Sequence, residues 1–243
     1  MKLSEKAIEE RRLQQLHAFM QALGISFHNL DLLDRALTHS SYANENQSHF
    51  GQHNERLEFL GDAILDFAVG EYLFLHFPDM PEGELSKARA SVVSETPLAE
   101  CSASFELGQY LRMGHGEVLS GGRSRISILA DAFEAIVGAI YLDSSYDEAR
   151  RFILSHLQPY LDKVSHGDYG KDYKTIFQEF IQRDGEQHIE YILCHEEGPD
   201  HDKTFYMEVT VNGTVLGKGS GKTKKDAEQH AALQALRKVQ ALS

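Results

Sequence analysis

Acidic residues recur at helical spacing in HNERLEFLGDAIL, residues 53–65. Glu55, Glu58 and Asp62 lie at i, i+3 and i+7, so on a helix all three share one face. The rest of the segment is apolar, which is typical of a helix that packs into a core. For Glu55 alone, interaction with the helix dipole in the first turn is a sufficient explanation. The carboxylates of Glu58 and Asp62 need a different explanation.

A second segment repeats the pattern. SILADAFEAIVGAIYL, residues 127–142, carries only two charges, Asp131 and Glu134, at i and i+3. A helix that is apolar on every side is normally buried. Its carboxylates must then be neutralised, hydrogen-bonded or bound to a cation, because an unpaired buried charge costs several kcal/mol. Arg125 precedes this helix, so the sequence offers the two acids no neighbouring cation.

Four carboxylates that converge without cations form a hard, oxygen-rich site. Such a donor set suits Mg²⁺ or Mn²⁺, whereas zinc prefers His or Cys ligands. These ions activate water and neutralise charge on a phosphoryl group. The residues therefore predict a divalent-metal site that acts on phosphoesters, and a purely structural network of acids remains the alternative.

Positive charge concentrates near the C-terminus, in GKGSGKTKKDAEQHAA, residues 217–232. Thr223 and Asp226 resemble a capping box, which begins a helix. Three lysines crowd the same helix start: Lys222, Lys224 and Lys225. The helix dipole disfavours cations there, so the pattern indicates a binding site for a polyanion such as phosphate. A solvated run of charges is the alternative.

The periodicity that must position these residues is helical over the first two thirds of the chain. Asn54 is a candidate N-cap for the longest helix. The Gly-rich segment 114–125 is expected to be a loop. Helices are predicted at residues 5–22, 30–38, 54–76, 83–93, 96–104, 127–142 and 146–162.

The polar, Gly-containing segment 165–172 predicts a flexible linker between two domains, residues 1–164 and 173–243. The second domain reads as α-β-β-β-α, with Asn212-Gly213 as a hairpin turn. Its predicted elements are a helix at 172–184, strands at 188–197, 203–213 and 214–221, and a helix at 223–240.

The composition restricts the class of protein. The 243 residues carry a formal net charge of −13, yet residues 203–243 hold 7 Lys and Arg against 3 Asp and Glu. No apolar run reaches the roughly 20 residues of a membrane span, and the charged N-terminus does not resemble a signal peptide. Cys101 and Cys194 match no metal or redox spacing. We therefore expect a cytoplasmic protein with reduced thiols and no membrane partner.

Along nearly its full length the chain resembles bacterial ribonuclease III. The motifs occur in that family's order: THSSYANE (38–45), HNERLEFLGDAIL (53–65), PEGELSKARASVVS (81–94), SGGRSRISILADAFEAIVGAIYLD (120–143), and the C-terminal series KTIFQEF, EEGPDHDKTF and GKGSGKTKKDAEQHAA. Ala63 stands where many members have Ser, a change that touches no acid.

The resemblance implies an all-α endonuclease domain that forms a homodimer, followed by a small α+β domain that binds double-stranded RNA. It implies that Mg²⁺, or Mn²⁺ in its place, is bound by Glu58, Asp62, Asp131 and Glu134, and that loss of Asp62 or Glu134 is the most damaging. Glu55 and Glu82 match further acids of the active-site valley. The implied products have 5′-phosphate and 3′-hydroxyl ends with short 3′ overhangs, and the implied substrates include ribosomal RNA precursors.

The resemblance also points to three groups of RNA-contacting residues in the second domain. One lies on the first helix: Thr175, Gln178, Glu179 and Gln182. The next lies in the loop between the first two strands: Gly198, Pro199 and His201. The last would bind phosphates at the start of the final helix: Lys222, Thr223, Lys224 and Lys225. Recognition would follow the shape of the duplex and its 2′-hydroxyls.

Two other functions compete with the nuclease. In one, the fold is a scaffold that binds duplex RNA without cutting it, although such a relative would be expected to have lost some of the four acids. In the other, a helical phosphohydrolase acts on nucleotides and the basic C-terminal segment is incidental. Removal of residues 170–243 would separate that second function from the nuclease.

Overall fold

The structure is a computed structural model that describes residues 5–46, 51–167, 169–170, 172–183, 185–198, 203–221 and 223–240. The chain divides into two compact units, Met1–Gly170 and Lys171–Ser243. Each unit has its own hydrophobic core, and each is described below by itself.

The first unit is helical, which confirms the predicted fold class for this part of the chain. Its helices are α1 (Glu5–Leu23), α2 (Leu30–Ala36), α3 (Ser40–Glu45), α4 (Glu55–His76), α5 (Glu82–Val92), α6 (Glu95–Ser104), α7 (Leu107–Tyr110), α8 (His115–Leu119), α9 (Ile126–Asp143) and α10 (Tyr146–Ser165).

The helix α9 lies at the centre of this unit. It is buried on almost every side, and the ring of Phe133 and the side chains of Ile136 and Val137 have no exposed surface. Helices α4, α6 and α10 pack around it. The apolar sequence of α9 therefore predicted its position correctly, since only a central helix needs apolar residues all round.

One expectation for local structure was wrong, and one short helix was not predicted. Segment 114–125 was expected to be a loop, but it contains α8 and a short 3₁₀ turn, Gly122–Ser124. Helix α3 was not expected at all. Both short helices are fixed by contacts between segments far apart in sequence, since the Glu45 carboxylate accepts a hydrogen bond from the His115 N–H at 2.8 Å. The periodicity of a short segment cannot predict a contact between residues so far apart in the sequence.

The predicted linker, 165–172, is partly packed. Helix α10 continues to Ser165, and the hydroxyl of Tyr169 lies 3.4 Å from a carboxylate oxygen of Glu84. Asp168 and Lys171 are outside the described residues. The division between the two compact units falls after Gly170, and the exact domain boundaries stay predictions.

The second unit has the predicted α-β-β-β-α order. Its elements are α11 (Tyr173–Gln182), β1 (Ile189–Glu197), β2 (Thr204–Val211), β3 (Thr214–Gly221) and α12 (Lys224–Gln240). The antiparallel sheet has the order β1-β2-β3. Asn212 and Gly213 both have positive φ, 48° and 78°, which is the geometry of the hairpin turn that this dipeptide predicted.

Helix α12 packs directly on β3. A side chain at Gly219 would place its Cβ 2.2 Å from the backbone nitrogen of Ala231 and 2.3 Å from the carbonyl oxygen of Ala227. The small residues on both elements thus allow backbone to approach backbone. Phe177 of α11 completes the core of this unit and has no exposed surface.

Candidate functional site

Helix α4 begins where the sequence predicted, but not by the expected cap. Asn54 occupies the N-cap position, yet its side chain makes no capping hydrogen bond. Instead its backbone N–H donates to the Thr38 carbonyl at 2.9 Å, and the Arg35 guanidinium donates to the His53 carbonyl at 3.1 Å. Tertiary contacts with the end of α2 therefore fix the start of the helix and the position of Glu55.

Helices α4 and α9 cross in backbone contact. A Cβ added at Gly61 would lie 1.8 Å from the carbonyl oxygen of Glu134, and one added at Gly138 would lie 2.3 Å from the carbonyl oxygen of Leu57. Gly61 stands between Glu58 and Asp62 in the sequence. The crossing therefore brings the two acids of α4 beside Glu134, and Asp131 lies one turn earlier on α9. We call Glu58, Asp62, Asp131 and Glu134 the acidic cluster.

Among the four carboxyls of the acidic cluster, Glu134 has the largest shift in pKa. Burial, followed by the charges of Asp62, Asp131, Glu58 and more weakly Asp66, raises the pKa of its carboxyl to about 8. A carboxyl surrounded by other carboxyls in a low-dielectric environment resists ionisation. A bound divalent cation would remove that penalty.

The pKa values of Glu58 and Asp131 are also raised. For Glu58 the causes are burial and then the charges of Asp131, Glu55 and Asp62. For Asp131 the causes are burial and then the charge of Glu95, with a smaller contribution from Glu55, and the imidazole of His39 acts in the opposite direction. The coupling runs across both helices, so the cluster behaves as one electrostatic unit.

Within the described part of the chain, no Lys or Arg forms an ion pair with the acidic cluster. The next acid on α4 shows the contrast, because Asp66 lies 3.6 Å from the Nε of Arg89. A cluster that lacks cations of its own is suited to an external one.

The described residues contain no group of three or more His, Cys, Asp or Glu side chains already arranged to hold a metal ion. The donor set is nevertheless all oxygen, as Mg²⁺ and Mn²⁺ require. The residues fit a divalent ion in chemistry, while the structure does not show its coordination.

The two accessory acids differ in their surroundings. Glu55 is mostly exposed and its carboxylate lies 3.7 Å from the Nδ1 of His53. Glu82 is exposed in the first turn of α5 and accepts a hydrogen bond from the Ser86 hydroxyl at 3.0 Å. Glu55 contributes to the field at Glu58 and Asp131, whereas Glu82 has no such link to the cluster in the described contacts.

Sequence reasoning missed two residues near the cluster. Glu95, at the start of α6, has the strongest effect of any single charge on the pKa of Asp131, and His39 is the group that opposes it. Glu95 looks like an ordinary acid in a first helical turn, and the sequence assigned no role to His39. The THSSYANE motif that contains His39 was the only available signal.

The proposed RNA-contacting residues of α11 share one exposed face, at i, i+3, i+4 and i+7: Thr175, Gln178, Glu179 and Gln182. The Thr175 hydroxyl donates to the Asp172 carboxylate at 2.9 Å, and Gln178 donates to Gln182 at 3.4 Å. Gln178 and Gln182 line an open cleft of about 390 Å³ together with His188 of the following loop.

At the other end of the unit, Thr223 caps α12, as predicted. Its hydroxyl oxygen accepts a hydrogen bond from the Asp226 N–H at 3.1 Å and donates its proton to the Asp226 carboxylate at 2.7 Å. Lys224 and Lys225 are exposed in the first turn. Gly198 is exposed at the end of β1 with φ of 99°. Three proposed contact residues lie outside the described residues: Pro199, His201 and Lys222.

One face of α4 is apolar and open to solvent. Phe59, Phe67 and Phe74 are 81%, 60% and 70% exposed. At 100° per residue they lie within one stripe of the helix, next to the face that carries the acids. Exposed aromatic rings on one side of a helix are typical of a surface that another protein covers.

Comparison with known families assigns both units. A family profile described as "Ribonuclease-III-like" matches residues 29–161, and one described as "Double-stranded RNA binding motif" matches residues 173–239. Together the two profiles cover most of the chain and both of its compact units.

Two similar proteins, each matched over nearly all of its length, share one name. A protein called "Ribonuclease 3" from Desulforamulus reducens is 49% identical over 229 residues, which is 94% of this chain and 93% of that protein. Another with this name, from Bacillus cytotoxicus, is 46% identical over 240 residues, 98% of this chain and 97% of that protein.

Among solved structures, the nuclease domain of ribonuclease III from Campylobacter jejuni is similar to part of the chain. It is 42% identical, with a TM-score of 0.55, and the match covers 58% of this chain and 95% of that one. Its description refers to a flexible region involved in dimer formation. In the described part of the present chain, every helix is too short or too polar to cross a membrane.

Proposed function

The chain belongs to the ribonuclease III family, whose members are endoribonucleases acting on double-stranded RNA, and we propose that its acidic cluster holds the divalent ions for that reaction. The proposed reaction is Mg²⁺-dependent hydrolysis of phosphodiester bonds in duplex RNA, with Mn²⁺ as a substitute. It leaves 5′-phosphate and 3′-hydroxyl ends with short 3′ overhangs.

The observation that carries this proposal is the crossing of α4 and α9. Gly61 brings the backbone of α4 against the carbonyl of Glu134, and burial together with neighbouring carboxylates raises the pKa of Glu134 to about 8. Evolution of a stable core alone would favour an apolar residue at such a position. Retention of an acid there is explained by a ligand of opposite charge.

The proposed division of roles follows from position. All four cluster acids would hold the ions: Glu58, Asp62, Asp131 and Glu134. Asp62 is exposed, Glu134 is half-buried, and the charge of Asp62 acts more strongly on Glu134 than any other charge does. These two are therefore the proposed catalytic residues. When bound, the ions supply charge neutralisation at the phosphoryl group and activation of water. Glu55 and Glu82 would orient the RNA or support the cluster.

We propose that the apolar face of α4 forms a homodimer. Phe59 follows Glu58 directly in the sequence, so a partner that covers the three phenylalanine rings would place its own acidic cluster near the first. Each subunit would cut one strand, and an offset between the two cuts would give the overhangs. Sedimentation at working concentration should show a dimer, and a monomer would contradict paired cutting.

The second unit would supply most of the affinity for the duplex. The face of α11 would contact one minor groove, Gly198, Pro199 and His201 would contact the next, and the lysines at the start of α12 would bind the phosphates between them. Its tether to the nuclease unit raises the effective concentration of RNA at the acidic cluster. Ribosomal RNA precursors and other structured transcripts in the cytoplasm are the proposed substrates.

Cleavage of a defined RNA duplex tests the proposal. The purified protein should cut the duplex in Mg²⁺ or Mn²⁺ and should not cut it in EDTA. Glu134→Ala should bind the duplex as tightly as the unaltered protein and leave it intact. Asp147→Asn, which alters an exposed acid at the start of α10, is the matched control and should cut normally.

Two results would overturn the proposal. If the unaltered protein binds duplex RNA but never cuts it in either ion, the chain is a binding scaffold. If Glu134→Ala cuts at the normal rate, the acidic cluster does not carry the chemistry.

A further inference from the structure

The chain does not leave the first unit where the last helix of that unit ends. Helix α10 ends at Ser165, and Gly167 follows with a φ of 68°, in the left-handed region. The Gly167 N–H donates to the Val164 carbonyl at 2.9 Å. This is the usual way in which a glycine terminates a helix. The chain therefore changes direction at Gly167 instead of continuing along the axis of α10.

The next described residue, Tyr169, contacts α5. Its ring packs against the hydrophobic core of the first unit. Its hydroxyl lies 3.6 Å from the Met80 sulfur and donates to one carboxylate oxygen of Glu84 at 3.4 Å. The other oxygen of Glu84 accepts from the Lys87 ammonium at 2.9 Å. Lys87 thus holds the acceptor of the tyrosine hydroxyl in place on α5.

Gly170 extends this contact by one residue. A Cβ added at Gly170 would lie 3.3 Å from the Lys87 Cβ and 3.5 Å from the Lys87 carbonyl oxygen, so the backbone of Gly170 runs against α5. Its φ of 51° is one that glycine adopts without strain. The first unit therefore extends to Gly170, five residues beyond the end of α10.

The second unit begins almost at once. Asp172 is the N-cap of α11, and its carboxylate accepts from the Thr175 N–H at 3.2 Å and from the Gln229 side chain at 2.8 Å. Because Gln229 belongs to α12, both helices of the second unit hold Asp172. In the sequence, Lys171 alone separates Gly170 from Asp172.

We propose that Tyr169 is a positioning residue, which anchors the tether of the second unit on α5 and shortens it from seven Cα–Cα steps to two. From Gly170 to Asp172 the chain spans at most about 7 Å, whereas from Ser165 to Asp172 it would span up to about 25 Å. The anchor therefore limits the volume that the second unit samples. The effect on cleavage rests on the proposed function, because a shorter tether raises the effective concentration of bound duplex at the acidic cluster.

Two changes lengthen the tether by different routes. Tyr169→Ala removes the ring and the hydroxyl that hold the chain on α5. Insertion of Gly-Ser-Gly-Ser after Lys171 lengthens the tether and leaves the anchor intact. An effect common to both variants is due to tether length, whereas an effect confined to Tyr169→Ala is due to packing on α5. Asp147→Asn, at an exposed position of α10, is the control.

Fluorescence anisotropy decay of the full-length protein measures the motion of the second unit. Cys194 of that unit is exposed and Cys101 of the first unit is buried, so a thiol-reactive dye labels the second unit. The unaltered protein and Asp147→Asn should show a small nanosecond component, because a short tether restricts rotation of the second unit. Tyr169→Ala and the insertion should both enlarge that component.

Cleavage of a defined duplex at limiting and at saturating RNA gives the functional readout. Effective concentration falls roughly as the −3/2 power of tether length, so both variants should lower kcat/KM about 5-fold and leave kcat within about 2-fold of normal. A merely structural role for Tyr169 would lower kcat/KM in Tyr169→Ala and leave the insertion variant normal.

An anisotropy decay that is the same in Tyr169→Ala and the unaltered protein would overturn the anchor. A fall in kcat/KM that the insertion does not reproduce would also overturn it, and so would a rise in kcat/KM in both variants, which would mean that the short tether hinders cleavage. If the unaltered protein does not cut duplex RNA, the proposed function fails, and the anisotropy decay still decides whether Tyr169 anchors the tether.

Discussion

The two units of this protein differ in the sign and the pairing of their charged side chains. In the first, the acidic cluster stands on two largely buried helices, and no Lys or Arg of the described residues forms an ion pair with its four carboxylates. In the second, lysines of the sheet and of α11 are paired, for example Lys174 with Glu228 at 2.5 Å and Lys218 with Glu208 at 2.5 Å. Within the described part of that unit, Lys224 and Lys225 have no such ion pair.

The difference matches the size of the ligand that each unit would bind. A small divalent ion needs several oxygens on a rigid frame, and the backbone contact of α4 with α9 provides that frame. A duplex presents charges over a long surface, which long and exposed lysine side chains can follow. Each proposed binding site therefore consists of charged side chains of one sign that have no ion-pair partner among the described residues. In the first unit these side chains are partly buried carboxylates, and in the second unit they are exposed lysines.

The largest effect is expected from a substitution that disrupts the backbone contact between α4 and α9. Gly61→Ala adds a Cβ that would lie 1.8 Å from the Glu134 carbonyl oxygen, so α4 and α9 must separate. We expect destabilisation of about 3 kcal/mol or more and complete loss of cleavage, seen by thermal unfolding and by a duplex assay. Gly116→Ala, where a Cβ meets nothing within 4 Å, is the control. Normal unfolding of Gly61→Ala would show that the helices can separate at little cost.

Glu134→Gln should separate stability from activity. Burial and neighbouring acids raise its pKa from 4.5 to about 8 in the folded protein, so in EDTA the folded state holds a proton that the unfolded state has already released. The unaltered protein should therefore lose stability as the pH rises from about 4.5 to about 8. Glu134→Gln should remove part of that slope and still reduce cleavage about 1,000-fold.

Thermal unfolding in EDTA between pH 5 and pH 9, with and without added Mg²⁺, checks the first part of this prediction. Mg²⁺ should raise the unfolding temperature of the unaltered protein most at high pH and that of Glu134→Gln much less. If stability depends on pH in the same way in both proteins, burial and the neighbouring carboxylates do not raise the pKa of Glu134.

The lysines of the second unit should affect binding alone. The double change Lys224→Ala and Lys225→Ala should weaken duplex binding about 10- to 100-fold and reduce the slope of log affinity against log salt by about 2. The rate at saturating RNA should stay normal. Lys238→Ala, in the last turn of the same helix, is the control. An unchanged salt slope in the double variant would place the phosphate contacts elsewhere.

The smallest expected effect is that of the cap on α12. Thr223→Ala removes the hydroxyl that accepts from the Asp226 N–H and should destabilise the second unit by about 1 kcal/mol. Hydrogen exchange of the amides in α12 should show the loss, with the amides of α9 unaffected. Loss of protection in α9 as well would mean that the two units unfold together.

The elements that carry most of the site were predictable from the sequence. The apolar segments with acids at i and i+3 identified α4 and α9, and the Asn212-Gly213 pair identified the hairpin of the sheet. These signals are local, because burial on a helix and the φ values of a turn each restrict a few neighbouring residues.

Other features depend on contacts that no local pattern reveals. Helices α3 and α8 hold each other through Ser41 and Glu45, and the sequence suggested neither helix. The sequence also did not explain why residue 61 is a glycine. Only glycine fits there because the backbone of Glu134, 73 residues away, occupies the space of a side chain.

Anomalous diffraction from crystals grown with Mn²⁺ tests the central claim most directly. The account predicts anomalous density bounded by oxygens of Glu58, Asp62, Asp131 and Glu134 at about 2.0–2.3 Å, and its disappearance in Glu134→Gln. Strong Mn²⁺ density elsewhere, or none beside these four side chains in crystals of active protein, would contradict it.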